Sequence, residues 1–348
     1  MKVRGIGRLR GIARRVTNAF VPRAIILLYH RVIDLRSDPQ LLSVSPKHFA
    51  EHLELMRERG RTIQVKALGE ALRYENGGRC FLIVSFDDGY ADNLYNAKPL
   101  LERYDIPATV FVSTGYLGSK REFWYDGLER ILLHAGPLPE RLRLSVNDRL
   151  YRWELGPAIV GHERVHRNSR DWNVCRKDDP TTRHSLYRLL CQILQPLPDG
   201  ERQKVVDDLA VWAGVDATHR RTHRTLCPEE IIRLADGGLV EIGSHTVSHP
   251  MLSQLPLAAQ MDEISQSKSR LEEILRHTIK SFAYPFGGSA HYTNETAAAV
   301  REAGFEWACS NFAGIVHPGT DHWQLPRFVV RDWDGVQFAR ALEGWINA

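Results

Sequence analysis

The stretch that most constrains the fold is Phe81-Leu82-Ile83-Val84-Ser85-Phe86-Asp87-Asp88-Gly89-Tyr90, an apolar run that stops at two adjacent carboxylates and a glycine. It is too short for an ordinary helix and shows no polar alternation, so it reads as a strand covered on both faces of a parallel sheet. Residues 91–104 place Leu94, Ala97, Leu100, Leu101 and Tyr104 at helical spacing, and Ala108-Thr109-Val110-Phe111-Val112 supplies a second apolar run. Together they make a strand–helix–strand unit, in which ligands gather beyond the carboxyl ends of the strands, where Asp87 and Asp88 fall. Asp-Gly is also common hairpin-turn chemistry, but a hairpin needs a second strand at once, and here a helix follows.

Composition narrows the class. The 348 residues, 43% hydrophobic and 25% charged, suit a soluble globular protein with a large core. The formal charge of +4 does not by itself point to nucleic acid, but residues 1–23 hold Lys2, Arg4, Arg8, Arg10, Arg14, Arg15 and Arg23 and no acid. Such a segment suits either peripheral contact with an anionic membrane or a solvated tail. The apolar run Ala24–Tyr29 is shorter than a secretory h-region and leads straight into folded-looking sequence, and no stretch is long enough to span a bilayer. Cys80, Cys175, Cys191, Cys227 and Cys309 are odd in number and form no Cys-x-x-Cys pair, so neither a disulfide framework nor a cysteine zinc site is expected. A reducing, cytoplasmic setting follows, peripheral at the inner membrane surface if the basic segment docks there.

In chain order, Ala24–Tyr29 reads as the first buried strand, with His30 at its carboxyl end. Ser45-Pro46 offers an N-cap and first helical residue for a helix carrying Phe49, Leu53 and Met56 and closed by Gly60. A short strand over 61–65 and a helix over 67–74 lead to the central unit. From about 125 to 227 the regularity fails. A hairpin over 142–153 turns at Asn147-Asp148, two helices near 183–195 and 199–213 follow, and then comes Arg220-Arg221-Thr222-His223-Arg224. His219 and His223 read as solvated surface groups. This stretch is expected to be a helical insertion in a domain running from 24 to 348. Strands are expected again over 239–243, 281–284, 305–309 and 325–330, with helices over 228–234, 256–276, 293–302 and 335–345. About seven or eight buried strands alternating with helices favour an α/β fold of the (β/α)-barrel kind over an open sheet.

In a barrel the strand carboxyl ends share one face. Asp87/Asp88, His245/His249 and Pro285/Phe286, with His30, Arg327 and Asp332 near two further ends, would converge there. His245-Thr246-Val247-Ser248-His249 sets two imidazoles about one helical turn apart, a separation that grips one small ion. With one carboxylate they leave an open position on zinc for water or substrate. A metalloprotease would carry Glu directly after the first His, where Thr246 stands. Alone, His-x-x-x-His is weak evidence; joined to tandem aspartates on another strand, it becomes specific.

Ser85-Phe86-Asp87-Asp88-Gly89-Tyr90, His245-Thr246-Val247-Ser248-His249 and Phe282-Ala283-Tyr284-Pro285-Phe286-Gly287, in this order, resemble the polysaccharide deacetylases with a NodB-type domain (carbohydrate esterase family four). The resemblance runs from about Ile25 to Trp333, apart from the insertion. It implies a distorted (β/α) barrel and metal-dependent hydrolytic removal of acetyl groups, usually N-acetyl from hexosamine units, so a hydrolase of non-peptide carbon–nitrogen bonds. By position it implies Asp87 as general base and Asp88, His245 and His249 as ligands of a divalent metal. The donors suit zinc, with cobalt, nickel or iron also compatible. The ion would polarise the amide carbonyl and acidify a water whose proton Asp87 takes, and the backbone N–H of Phe286 would help to hold the oxyanion.

Two departures matter. Ala283 stands where many members carry an Arg that orients the base, a task Arg327 of Leu325-Pro326-Arg327-Phe328 could take over, with Asp332 and Trp333 resembling the fourth motif. The histidine of the family's last motif fits Leu28-Tyr29-His30 better than Ile315-Val316-His317. That placement resembles the circularly permuted branch of exopolysaccharide systems and makes His30 the expected acid for the leaving amine. The expected substrate is an acetylated glycan: a polysaccharide, an oligosaccharide or a lipid-linked precursor, with Tyr90, Trp124, Tyr125 and Trp333 as candidate platforms for its rings. The alternative is a non-catalytic carbohydrate-binding protein that keeps the deacetylase fold, prompted by Ala283. Nucleic-acid binding through the basic runs finds no motif to support it.

Overall fold

Runs without polar alternation form buried parallel strands, as their composition requires. A computed structural model describes residues 22–74, 80–134, 136–155, 171–216 and 219–347, so the basic segment up to residue 21 lies outside the described residues. The chain begins with β1 (Arg23–Tyr29), buried from Ala24 onward, and a small parallel pair, β2 (Arg31–Val32) and β3 (Ser43–Val44). Helix α1 (Pro46–Arg59) starts at Ser45, whose hydroxyl accepts from the His48 N–H, and it buries Phe49, Leu53 and Met56. β4 (Arg61–Thr62) and α2 (Leu68–Tyr74) lead into β5 (Cys80–Phe86). A π-helical turn over Asn93–Ala97 runs into α3 (Lys98–Tyr104), and β6 (Ala108–Val112) completes the central unit.

The irregular region then folds around its own apolar residues. It comprises α4 (Trp124–Glu129), the antiparallel pair β7 (Arg141–Val146) and β8 (Arg149–Glu154), α5 (Thr182–Leu194) and α6 (Asp199–Ala213). The hairpin turns on Asn147 and Asp148, whose φ angles of 48° and 58° are those of the two-residue turn that Asn and Asp tolerate. Leu128, Leu132, Leu144, Leu186, Leu190 and Leu209 meet in a cluster separate from that of the barrel.

The chain returns through α7 (Pro228–Ala235), β9 (Val240–Ser244), α8 (Leu257–Leu275), β10 (Ser281–Ala283), α9 (Asn294–Glu302), β11 (Trp307–Cys309), β12 (Phe328–Val329) and α10 (Gly335–Ile346). The main strands pair in parallel in the order β11, β10, β9, β6, β5, β1, β12. β4 takes the start of β5 on the edge that β6 takes farther along. The sheet curls until its ends meet through one segment. Leu325 pairs with the β11 side, exchanging 2.8 Å bonds with Ala308 O and Ser310 N, and Phe328–Val329 pair with β1. Pro326, which has no N–H for a ladder, sits where the segment changes partner. The result is a distorted (β/α) barrel with the carboxyl ends of its strands on one face.

Candidate active site

The strand ends deliver the site. Asp87 and Asp88 follow β5, His245 follows β9, His30 follows β1, and Phe286 lies just beyond β10. Gly89 has φ +78°, and a Cβ there would stand 3.1 Å from Val112, so only glycine lets the turn after β5 pass so close to β6. Asp88, Thr246, His249 and Phe286 adopt left-handed φ of 75°, 65°, 53° and 60°. Such residues cost of order 1–3 kcal/mol each and persist where their surroundings over-determine them. Here those surroundings are visible for the histidine loop. Glu263 of α8 accepts from Val247 N and Ser248 N at 2.8 Å and from the Ser248 hydroxyl at 2.6 Å, while Arg202 of α6 donates to the carbonyls of Ser248 and His249 at 3.0 and 3.1 Å.

Asp88 Oδ1 lies 3.6 Å from His245 Nε2 and 3.4 Å from His249 Nε2. Ligand atoms about 2.1 Å from a shared ion at tetrahedral angles stand about 3.4 Å apart, so the spacing fits one cation. Three further observations fit it. Asp88 Oδ1 is buried and has no hydrogen-bond partner among the described residues. His245 Nδ1 lies 2.7 Å from the carbonyl of Ala283, which can only accept, so its proton is on Nδ1 and Nε2 presents a lone pair. Burial lowers both histidines, His249 strongly, keeping them neutral as ligands must be. Burial, and then the charge of Asp87, push Asp88 up to about 8, a shift that a cation beside it would reverse. The Tyr125 hydroxyl donates to Asp88 Oδ2 at 3.0 Å and turns Oδ1 toward the imidazoles.

Asp87 is handled differently. Arg327, fully buried within the barrel, donates to its two oxygens at 2.7 and 2.8 Å and to the carbonyl of Ser310 at 2.7 Å. Burial raises the carboxyl, but the guanidinium outweighs it and holds Asp87 below the usual carboxylate range. Tandem carboxylates thus carry opposite tendencies, one held ionised and one lacking a counter-charge.

His30, Asp87, Asp88, His245, His249 and Phe286 line one cavity of about 390 Å³, with Trp124 and Tyr125 on its wall. The other expected residues go elsewhere. His317 adjoins Val316, which bridges Ala24 at the start of β1, whereas His30 follows its end. Six residues of strand separate those points by about 20 Å, so His317 is at the opposite end of the barrel. Asp332 is exposed and braces the start of α1, accepting from Ser45 N and its hydroxyl at 2.9 and 3.0 Å and pairing with His48 Nδ1 at 2.7 Å. The cavity's lining on this segment stops at Arg331, one residue before it. Trp333 packs against the main core, and its carbonyl meets His52 Nε2 at 2.7 Å. Tyr90 is buried with the Arg31 guanidinium 4.2 Å from its ring centroid and its hydroxyl 2.7 Å from Asp126, so it offers no face to a sugar. His223 is buried rather than solvated, and Arg220 and Arg224 pair with Glu122, Glu129 and Glu230. The roles of Tyr125, Arg202 and Glu263 have no local signature. Tyr125 and Arg202 reach the site from distant elements and Glu263 from the helix that follows the histidine loop, and Tyr125 drew notice only as a ring.

The geometry defines a class first: a (β/α) barrel whose mouth holds a carboxylate–imidazole group spaced for a cation, beside an ionised aspartate. The family model described as polysaccharide deacetylase matches residues 75–146 and 209–308, and the chain belongs to that family, whose members are carbohydrate deacetylases that generally depend on a metal. YxkH of Bacillus subtilis (strain 168), named as a polysaccharide deacetylase, is 30% identical over 113 residues, 32% of this chain and 39% of that relative, so the match spans well under half of the relative's length. IcaB from Ammonifex degensii superposes with a TM-score of 0.57 at 18% identity, covering 94% of this chain and 100% of that one. The Streptococcus pyogenes deacetylase PplD, solved with acetate, gives 0.56 at 17% identity over 91% and 97%. At such identities the likeness is one of fold.

Proposed function

We propose that the chain is a divalent-metal-dependent hydrolase that removes acetyl groups from N-acetylated sugar units of a glycan, whether polysaccharide, oligosaccharide or lipid-linked precursor. The carrying observation is the orphaned Asp88 Oδ1 facing two neutral imidazoles, next to an aspartate that Arg327 keeps ionised. Asp88, His245 and His249 would hold the ion, zinc by the nature of the donors, and when bound it would supply the positive charge that polarises an amide carbonyl and activates water. Asp87 takes the proton of the attacking water as its oxygen bonds to the carbonyl carbon. The N–H of Phe286, in a left-handed turn on the cavity wall, is a donor for the oxyanion. His30 passes a proton to the nitrogen as the carbon–nitrogen bond breaks, releasing acetate and a free amine. Burial lowers His30 to about 4 against the pull of Asp87, so the ring is neutral at rest and acts as the acid by receiving the proton that Asp87 lifts from the water and handing it on to the nitrogen.

This reading places the acid histidine at the end of the first strand, as in the permuted branch. It keeps the cytoplasmic setting with residues 1–23 against the inner membrane surface, which rests on the charge of that segment; no described helix is long and apolar enough to cross a membrane. The rival, a binding protein without turnover, rested on Ala283, and the guanidinium reaching Asp87 from Arg327 takes away that ground. Acetate release from acetylated hexosamine oligomers, measured with metal content, tests the proposal: Asp87→Asn should abolish release while the metal stays. Near-native turnover in that variant would overturn it.

A further inference from the structure

Two arginines line the cavity, and their charges are treated unequally. Arg188 gives its guanidinium to both oxygens of Asp179 and to the carbonyls of Val174 and Arg176. The Arg331 guanidinium makes one hydrogen bond, to the carbonyl of Leu41, and among the described residues no carboxylate lies within ion-pairing distance of it. Asp38 is near enough to be felt, but its oxygens accept from Leu42 N and Ser43 N at 3.0 and 2.7 Å. A guanidinium carries five N–H donors in a planar fork, and leaving it half-buried without a counter-charge is unfavourable. Of the fully buried arginines, Arg31 and Arg327 hold the carboxylates of Asp92 and Asp87 at hydrogen-bond distance, and Arg202, bonded to two carbonyls, still has Asp199 at 3.9 Å.

Position gives the open fork a meaning. β1 and β12 pair Leu28 with Val329, and Val330 N donates to Leu28 O, so the same register brings Arg331 beside His30 at the strand ends. His30 is the group assigned to the leaving nitrogen, which belongs to the sugar. We infer that Arg331 is an anion subsite for an acidic group, a carboxylate or a phosphate, carried by the sugar that bears the acetamide. The inference rests on the deacetylase reading and narrows its substrate from acetylated glycans in general to acidic ones.

The test measures acetate release from neutral chitotetraose, N-acetylglucosamine 1-phosphate and N-acetylmuramic acid by the metal-loaded wild type and Arg331→Gln at fixed ionic strength. The wild type should show a higher kcat/KM on one acidic probe than on chitotetraose, and Arg331→Gln should shrink that preference about ten- to hundredfold. A response to the phosphate probe puts the acid at the anomeric carbon, and one to the lactyl carboxylate puts it on the ring. The same preference in both proteins, or none in the wild type, overturns the subsite. If the wild type releases acetate from no probe, the deacetylase reading is what fails, and binding of inorganic phosphate to the two proteins decides the subsite. Roughly tenfold weaker binding by Arg331→Gln supports it, and equal binding overturns it.

Discussion

Two groups of buried carboxylates and imidazoles close to within 4.8 Å among the described residues, and they have opposite fates. At the barrel mouth, Asp88 faces His245 and His249 with one oxygen unpartnered. In the 125–227 region, Asp126, Glu129 and His223 are as deeply buried, but Arg220 donates to Glu129 at 2.8 Å and to the oxygens of Glu122 at 3.1 and 3.0 Å, and Tyr90 donates to Asp126 at 2.7 Å. In the second group a guanidinium already sits on Glu129, while Asp126, which it meets only through the backbone carbonyl, is pushed up to about 7 by burial. The donor types are the same; what separates a candidate metal centre from a structural ion pair is whether a buried carboxylate oxygen facing the imidazoles has been left without a partner.

The largest expected effect probes the mouth. Asp87→Asn removes the proton acceptor while leaving all three proposed ligands, so turnover should fall by roughly 10²–10⁴-fold with metal stoichiometry unchanged. Next comes the contrast itself. Glu129→Ala strips Arg220 of a buried partner and should cost about 3–5 kcal/mol in denaturant unfolding without altering bound metal. His249→Ala should weaken metal retention, read by competition with a chelator, by at least about a hundredfold. Parallel metal loss in both variants would erase the distinction between the two groups.

A smaller effect sharpens the boundary, because the hydroxyls of Tyr90 and Tyr125, which donate to Asp126 and Asp88 at 2.7 and 3.0 Å, stand 3.2 Å apart between the two groups. Tyr125→Phe leaves Asp88 Oδ2 without its donor and should weaken metal binding about 10- to 100-fold, the range for a residue that orients a ligand. The melting temperature of the metal-free protein should barely move. A large fall in that temperature with unchanged affinity would make Tyr125 a packing residue.

The barrel strands were legible because burial on both faces writes an unbroken apolar run, as in 81–86 and 24–29, and the helix after Ser45-Pro46 because its cap is local. The strands at 61–62 and 328–329 proved shorter than expected, since their partners pair with only two residues of each. At the site, Asp87, Asp88, His245 and His249 announce themselves by adjacency and spacing. Arg327 reaches Asp87 from 240 positions away, and only the absence of an arginine at Ala283 directed attention to it. His223 looked solvated because its neighbours in the chain are basic. The acid beside it, Glu129, 3.7 Å from its Nε2, lies about a hundred positions earlier, and no pattern couples segments so distant.

The smallest expected effect concerns a residue whose sequence context pointed to the site and whose surroundings do not. Asp332 is about half exposed and holds the first turn of α1 through Ser45 and His48, so Asp332→Ala should cost about 0.5–1 kcal/mol and leave acetate release unaltered. Burial raises its carboxyl, but the Ser45 N–H and the His48 ring outweigh it and hold the folded value below the ordinary one. A carboxyl lowered on folding stabilises above the unfolded pKa near 3.9 and ceases to as pH falls through the folded value. The gap between wild type and Asp332→Ala in chemical denaturation should therefore be full at neutral pH and close below about pH 4. A gap that stays constant across that range would mean that the side chain acts there by packing and not by its charge.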